Sequence, residues 1–478
     1  MHIPSAELMS ILTRFNPWWR GASLDLPPWS RAVFKELYQW AAQPPAKRAV
    51  MLSGARQVGK TTLLHQLVRK LLDDGVSASN ILYITMDHPL LKMAGLDAAI
   101  EAWREMEPSA GGQEFVFVDE IQSVKDWDVW VKLQVDFQKE RRIFFTGSAL
   151  PLADAVQESG VGRWHICKLH TLSFYEYLHI KEISLPPLPA LPSLLSLFSW
   201  GTSAFHGCTA QAESYVGHFH EYLLRGGFPQ TALVEDIDQA QRLVREDIID
   251  KVLKRDMTVF YGVRRVLDLE STFLYLCMNS GGLLDMTNLS KEIGVKRPTA
   301  ESYIELLESV HLLFRLRPYG YGKEVLRGRF KIYLADPSMA PAVLLQGKSL
   351  LEDSVALGQA VESAVCKHLA GRYYRQNMQF SYWKNKKNQE VDFVGALGAD
   401  VTPFEVKYRE THTQSSDLPG LKDFMHSRKC KRGYVITKSL SDFGLLSSLS
   451  ADQAPIMKIP APLFCYWMGE NELQNFAM

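Results

Sequence analysis

The chain of 478 residues lacks net charge: Lys and Arg together number 53, and so do Asp and Glu. No global field draws it to nucleic acid, so any such binding must come from local basic patches. Cysteine is sparse. The six residues Cys167, Cys208, Cys277, Cys366, Cys430 and Cys465 lie far apart with no CxxC pair. That spacing argues against a disulfide framework and for reduced thiols in a cytoplasmic protein. The opening stretch MHIPSAELMSILTRFNPWW lacks the basic region and apolar core of a signal peptide. An uninterrupted apolar run is missing too. The most apolar long segment, SLPPLPALPSLLSLFSWG at 184–201, holds four prolines. So many breaks disfavour a spanning helix and favour a linker or surface insertion. No internal repeat is found. We therefore expect a soluble chain with no membrane partner.

What is present is ordinary for a globular protein, with 46% apolar and 22% charged residues. The length is too great for one core, and two to four domains are expected. Residues 1–46 read as helical and end in QPPAK (43–47). Strands and helices then alternate: AVMLSG (49–54), a helix from Lys60 to about Leu72, ILYITMD (81–87), FVFVDE (115–120) and RIFFTGSA (142–149). Apolar strands bracketed by helices indicate a parallel sheet covered on both faces. Leu63, Leu64, Leu67 and Leu71 form the stripe that packs on it.

After about residue 170 the pattern turns helical. Ser173 and Glu176 make an S-x-x-E capping box, and a helix around 213–225 stops at Gly226-Gly227 with Pro229 beyond. Further helices fit 236–256 and 264–280. Residues 284–335 then give LSKEIGV, a second helix opened by Pro298, and two strand-like stretches, FRLRPYG and FKIYLAD. That order predicts a winged helix-turn-helix. A last α/β unit spans about 355–440, beginning with the amphipathic helix 358–369.

The chemistry concentrates in three places. Gly54-Ala55-Arg56-Gln57-Val58-Gly59-Lys60-Thr61, followed by Thr62, matches G-x-x-x-x-G-K-[ST] in full, between a buried strand and a helix start. Backbone N–H groups and the positive helix end of such a loop cradle phosphates, the lysine reaches the β- and γ-phosphates, and the Thr61 hydroxyl ligates Mg²⁺. Asp119, at the end of FVFVDE, is placed to hold the Mg²⁺ shell, and Glu120 to orient or deprotonate the attacking water. Thr146 or Ser148 would sense the γ-phosphate through a hydroxyl. Arg163 would neutralise charge in a neighbouring subunit of a homo-oligomer, or is a plain surface arginine.

The second place is the helix-turn-helix region. Its second helix starts with Lys296, Arg297 and Thr299, which suit a major groove, but continues with Glu301, Glu305 and Glu308, which do not. The wing is more basic, with Arg315, Arg317, Lys323, Arg327, Arg329 and Lys331 against Glu324. DNA contact and a packing module are the two readings.

The third lies in YWKNKKNQEVDFVGALGADVTPFEVKY at 382–408. Strand alternation puts Glu405 and Lys407 on one face, opposite Phe404, Val406 and Tyr408. An antiparallel return brings Asp392 beside Glu405. Two close carboxylates make an oxygen site for Mg²⁺ or Mn²⁺, with Lys407 to orient the nucleophile. Lys384, Lys386 and Lys387 would hold a DNA backbone. A zinc site from His206, Cys208, His218 and His220 is disfavoured, because on a helix His218 and His220 point about 200° apart.

NPWW (16–19), GARQVGKTTL (54–63), FVFVDEIQ (115–122), FFTGS (144–148), LSFYEYL (172–178) and GGFP (226–229) together resemble one family. It is the bacterial and archaeal AAA+-type P-loop ATPases with a long carboxy-terminal domain of largely unknown function. The resemblance covers nearly the whole chain and implies ATP, Mg²⁺ and a helical lid, but no settled substrate. Residues 184–210 look like an insertion peculiar to this chain. The carboxy-terminal arrangement resembles the core of PD-(D/E)xK nucleases, including an upstream helix with an acidic residue, here Glu362.

The expected fold is α/β multidomain. An ATPase domain with a helical extension covers 1–170, a helical lid 171–283, a winged helix 284–335, a restriction-endonuclease-like domain 355–440 and an extension 441–478. The expected function is ATP binding and hydrolysis coupled to action on DNA, with metal-dependent cleavage. The alternative is an ATP-dependent regulatory or defence switch that binds DNA or protein without cutting.

Overall fold

The computed structural model describes residues 3–148, 162–320, 325, 328–446 and 453–474. It divides into two compact units. One comprises Met1–Leu169 with Val259–Gly262 and Ser309–His311; the other comprises His170–Thr258, Val263–Glu308 and Leu312–Met478.

The first unit is built on five parallel strands: β1 (Ala49–Ser53), β2 (Ile81–Thr85), β3 (Glu114–Asp119), β4 (Arg141–Gly147) and β5 (Trp164–Lys168), in the order β2-β3-β4-β1-β5. Four of the five are largely apolar runs (Ala, Val, Met, Leu, Ile, Phe, Tyr) and are almost wholly buried, as expected of a parallel sheet covered on both faces. On one face Leu8, Leu12, Ala99 and Trp103 of the helices Ser5–Phe15 and Leu96–Met106 join a single core with Leu82, Ile84, Val116 and Val118. The helix Lys60–Asp73 buries Leu63, Leu64, Leu67 and Leu71, the stripe expected from its spacing.

β2 lies at the sheet edge, and NPWW closes that edge. The fully buried Asn16 donates to Tyr83 O (2.9 Å) and accepts from Tyr83 N–H (2.6 Å), so its amide stands in for a neighbouring strand. The indoles of Trp18 and Trp19 both donate to Ile81 O, at 3.2 and 2.9 Å. The backbone groups of a buried edge must find partners, and here three side chains of one four-residue stretch supply them.

The second unit contains a nine-stranded sheet. Its strands are β6 (Leu283–Leu284), β7 (Leu313–Pro318), β8 (Phe330–Leu334), β9 (Gln379–Lys384), β10 (Glu390–Leu397), β11 (Asp400–Lys407), β12 (Gly433–Thr437), β13 (Gly444–Leu445) and β14 (Ile456–Pro460). Their order is β13-β14-β12-β11-β10-β9-β7-β8-β6. The helices Met286–Glu292 and Arg297–Ser309 fall between β6 and β7, and β8 pairs antiparallel with both of those strands. Beyond them, the helix Ser354–Tyr373 precedes the antiparallel run β9-β10-β11. The helix Pro419–Arg428 then carries the chain from β11 to the parallel β12. Gly398, at φ 60°, and Ala399 form the two-residue turn between β10 and β11, with Leu397 opposite Asp400.

Three segments differ from their expected reading. The helix expected at 213–225 begins at Thr202, since Phe205, Cys208, Ala212 and Tyr215 extend its buried stripe despite two internal glycines. It carries His206, Cys208, His218 and His220. Segment 184–201 is no free linker: Leu188, Leu191, Leu194 and Leu197 are buried, and the Trp467 indole donates to Pro189 O at 3.0 Å. Its four prolines keep 186–192 out of helix and strand but not out of the core, and a short 3-10 helix, Leu194–Ser199, follows them. The region read as an extension from 441 likewise contributes β13, β14 and the helix Ala461–Gln474, whose Leu463, Phe464, Trp467 and Met468 are buried. No helix among the described residues is long and apolar enough to cross a membrane.

Candidate nucleotide site and acidic cluster

The phosphate loop follows β1. A Cβ on Gly54 would lie 2.3 Å from Leu169 O, so only glycine fits there. Gln57 (φ 59°) and Gly59 (φ 96°) take the left-handed conformation that turns the chain into the helix beginning at Lys60. Ala55 and Val58 are buried, which seats the loop, and Arg31 donates to Val58 O at 2.8 Å. Arg56 and Thr62 are half-buried. The Lys60 ammonium donates to Gly54 O and Ala55 O, both at 2.8 Å, and so is held at the mouth of the loop.

The Thr61 hydroxyl donates to Asp119 Oδ2 at 2.6 Å, joining two residues 58 positions apart. These are oxygen ligands of the kind a hard divalent cation takes. Asp119 is buried and has two further donors: the Tyr83 hydroxyl at 2.8 Å and the Thr146 hydroxyl. Thr146 Oγ1 in turn accepts from Glu120 N–H at 2.9 Å. Thr146 is fully buried and engaged with the acidic pair. Glu120 sits at φ 56°, its carboxylate held by Gln122, whose amide also donates to Ser148 Oγ at 3.1 Å. Burial pushes the Glu120 carboxyl above its ordinary pKa, against the pull of Lys60. That is the direction a general base needs. Arg163 lies 3.6 Å from Asp136 within the same unit. Tyr83 and Gln122 were not anticipated from sequence. Tyr83 is concealed in an apolar strand, and Gln122 has no pattern of its own.

The second unit brings the three carboxy-terminal residues together. Phe393 pairs with Phe404, which sets Asp392 opposite Glu405. Asp392 N–H donates to Glu405 Oε2 at 3.3 Å, and Asp392 Oδ2 accepts from Val406 N–H at 2.9 Å. Lys407 Nζ donates to Glu405 Oε1 at 2.6 Å. Burial first, and then the charge of Asp392, raise the pKa values of both Glu362 and Glu405. Burial also opposes ionisation of Asp392, but Lys331 and Lys407 outweigh it and hold that carboxyl low.

Lys331 corrects an expectation. It is not a wing residue facing DNA. Its side chain is 2% exposed, and its ammonium lies 2.6 Å from Asp392 Oδ1 and 3.2 Å from Glu390 Oε1. In the sheet order β9 and β7 lie between β8 and β10. On a flat sheet that is about 14 Å, further than a lysine reaches, so the sheet curls to bring the strands together.

Of the other basic candidates, Arg297 is paired with Glu301 at 2.8 Å, Arg329 with Asp285 at 2.7 Å, Arg315 with Glu308 at 2.6 Å and Lys384 with Glu390 at 3.6 Å. Lys296, Lys386 and Lys387 are exposed, and Thr299 is half-buried. Lys323, Arg327 and Glu324 lie outside the described residues. Among those described, one trio of potential metal ligands meets, Glu36, His165 and Cys167. The 2.6 Å His165–Glu36 bond and the Trp40 ring stacked on His165 at 4.5 Å account for it without an ion.

Three family models match parts of the chain. Residues 46–178 match an AAA domain, 216–350 a domain of unknown function (DUF8612), and 357–457 another domain of unknown function (DUF4143). An uncharacterized protein of Haemophilus influenzae is 24% identical over 386 residues, 78% of this chain and 86% of the relative. An uncharacterized protein of Methanocaldococcus jannaschii is 25% identical over 350 residues, 72% of this chain and 71% of its own length. One from Mycobacterium tuberculosis is 24% identical over 376 residues, 77% and 72% of the respective chains.

Among solved structures, AMPPCP-bound DnaA from Aquifex aeolicus aligns at a TM-score of 0.24 and 14% identity, over 58% of this chain and 86% of that one. PCH-2 of C. elegans aligns at 0.26 and 15%, over 42% of this chain and 57% of that one. No weight rests on likeness at those scores. The complete phosphate loop, the acidic pair at the end of a buried parallel strand and the matched domain agree: residues 46–178 are an AAA-type P-loop ATPase domain, and it is there that this chain binds ATP.

Proposed function

We propose that the chain hydrolyses ATP with Mg²⁺ and uses the cycle to act on DNA. The observation that carries the first half is the 2.6 Å contact between Thr61 and Asp119 with Glu120 beside it. Those two oxygens would hold Mg²⁺, which when bound would offset the negative charge of the nucleotide phosphates. Lys60 turns from its loop carbonyls to the phosphates, Glu120 accepts the proton of the attacking water, and Gln122 relays its position to Ser148. Arg163 serves a neighbouring copy in a homo-oligomer.

The DNA half rests on two arrangements. The helix pair Met286–Glu292 and Arg297–Ser309 with β6, β7 and β8 has the order of a winged helix. The helix Ser354–Tyr373, β9, β10, β11, the helix Pro419–Arg428 and β12 have the order expected of a PD-(D/E)xK core, with Glu362, Asp392, Glu405 and Lys407 in its acidic corner. Exposed Lys296, Lys386 and Lys387 are the cations best placed to meet phosphate. We read 171–283 as the lid.

The second reading, an ATP-dependent switch that binds without cutting, is favoured by one observation: Lys331 already occupies the acidic corner. The test is anisotropy with duplex, forked and single-stranded DNA, with and without ATP, across a salt series, beside a cleavage assay in Mg²⁺ and Mn²⁺. DNA action requires binding that weakens steeply with salt. Salt-dependent binding without nicking selects the switch, and no binding to any of the three refutes action on DNA. Glu120→Gln should retain ATP and lose turnover by at least about a hundredfold.

A further inference from the structure

A divalent cation in a nuclease-type corner needs carboxylate oxygens that converge with free lone pairs, at about 2.0–2.1 Å for Mg²⁺. Here each of the four oxygens of Asp392 and Glu405 already accepts one hydrogen bond, two of them from an ammonium, and the acids do not converge. Asp392 Oδ1 takes the Lys331 ammonium at 2.6 Å and Oδ2 takes Val406 N–H at 2.9 Å. Glu405 Oε1 takes Lys407 at 2.6 Å and Oε2 takes Asp392 N–H at 3.3 Å. Among the described residues, Glu362, Asp392 and Glu405 are not a trio whose oxygens all come within 4.8 Å of one another. As folded, the donor set does not fit a metal.

It does fit an ammonium. Lys331 is fixed by its strand, paired with Leu283 on β6 and Leu316 on β7, and its side chain is enclosed. It meets two carboxylates within hydrogen-bonding distance, those of Asp392 and Glu390. A charge buried this deeply stays only where opposite charge compensates it. The dependence is mutual: without Lys331, three acids face Lys407 alone, and the deficit calls for a cation or for protons.

We propose that Lys331 is the standing cation of this cluster, and that a divalent cation binds at Asp392 only where the Lys331 ammonium has been removed. The inference rests on the reading of the corner as a nuclease-type centre and concerns its regulation. Lys331 is a positioning and gating residue. It sits on the strand that closes the helix-turn-helix sheet, so a displacement of β8 would expose the acids and no displacement would leave them closed.

The experiment is a Mn²⁺ titration of the full chain by electron paramagnetic resonance, without nucleotide, on the parent, Lys331→Met, and Lys331→Met with Asp392→Asn. The expected result is no Asp392-dependent Mn²⁺ site in the parent. Lys331→Met should gain one at least about tenfold tighter than any parent binding, and the double variant should lose it. Asp392-dependent binding by the parent overturns the gate and leaves the metal-centre reading standing. A folded Lys331→Met that gains no site overturns both. Should that variant fail to fold alone, refolding with Mn²⁺ but not with Mn²⁺ plus chelator supports the proposal, and failure in both conditions refutes it.

Discussion

His368 lies in the helix Ser354–Tyr373 and is 2% exposed. Its two ring nitrogens have fixed roles. Nε2 accepts from Phe174 N–H at 2.8 Å, and Nδ1 donates to Ala364 O at 2.7 Å. Only the neutral ring can do both. Burial, reinforced by the neighbouring Lys367 charge, lowers its pKa to about 3. Protonation would turn the acceptor into a donor facing a backbone N–H, at the start of a helix already capped by Ser173 and Glu176. Between pH 3 and 6.5 the unfolded chain therefore binds the proton that the folded chain refuses, and stability rises with pH across that window. It is complete above about 6.5 and is lost as pH falls. At pH 5.0 the loss is about 2 kcal/mol.

Glu362 and Glu405, whose pKa values are raised, act with the opposite sign, so the parent alone would blur the effect. His368→Gln keeps an acceptor for Phe174 N–H but does not titrate, and both proteins carry the same acids. Urea unfolding followed by circular dichroism at pH 7.5 and 5.0 should show the parent losing about 2 kcal/mol more than His368→Gln. Equal losses, within about 0.5 kcal/mol, would refute the assignment of a neutral ring.

Three further outcomes are expected. Asn16→Ala leaves the buried N–H and C=O of Tyr83 without partners and should cost about 2–5 kcal/mol in urea unfolding, whereas less than about 1 would mean that the edge finds other donors. Tyr83→Phe removes one of the donors on Asp119. The Mg²⁺ concentration for half-maximal ATP hydrolysis should rise about three- to tenfold while affinity for metal-free nucleotide stays unchanged, and a change in that affinity instead would place Tyr83 at the nucleotide. Asp392→Ala leaves the buried Lys331 ammonium with Glu390 alone and should destabilise the fold by about 3 kcal/mol, most of it recovered by adding Lys331→Met; additive losses would show that the two side chains are not coupled.

The nucleotide loop was legible because every group it uses is contiguous and sits at a strand–helix junction. Asp119 and Glu120 were legible because an acidic pair ending an apolar strand has few other uses beside such a loop. The meeting of Asp392 with Glu405 followed from period-two alternation and a short return. Lys331 followed from nothing local. It stands 61 positions from Asp392, among arginines that look like a basic wing, and only the curl of a nine-stranded sheet turns it inward. Tyr83 and Asn16 were hidden for a similar reason: each acts on a backbone or carboxylate that sequence places far away. Segment 184–201 misled because proline forbids helix and strand but does not forbid burial.

The amide of Asn16 and the indoles of Trp18 and Trp19 occupy the outer rim of β2, where a further strand would otherwise pair. Remove the first nineteen residues and that rim becomes an open template for any extended chain, including another copy of this one. A shortened chain beginning near Arg20 should therefore associate through its sheet margins and come out of solution, even with the phosphate loop and its acidic pair untouched. The amino-terminal helix and its four-residue coda act as a guard against self-association as much as a part of the core.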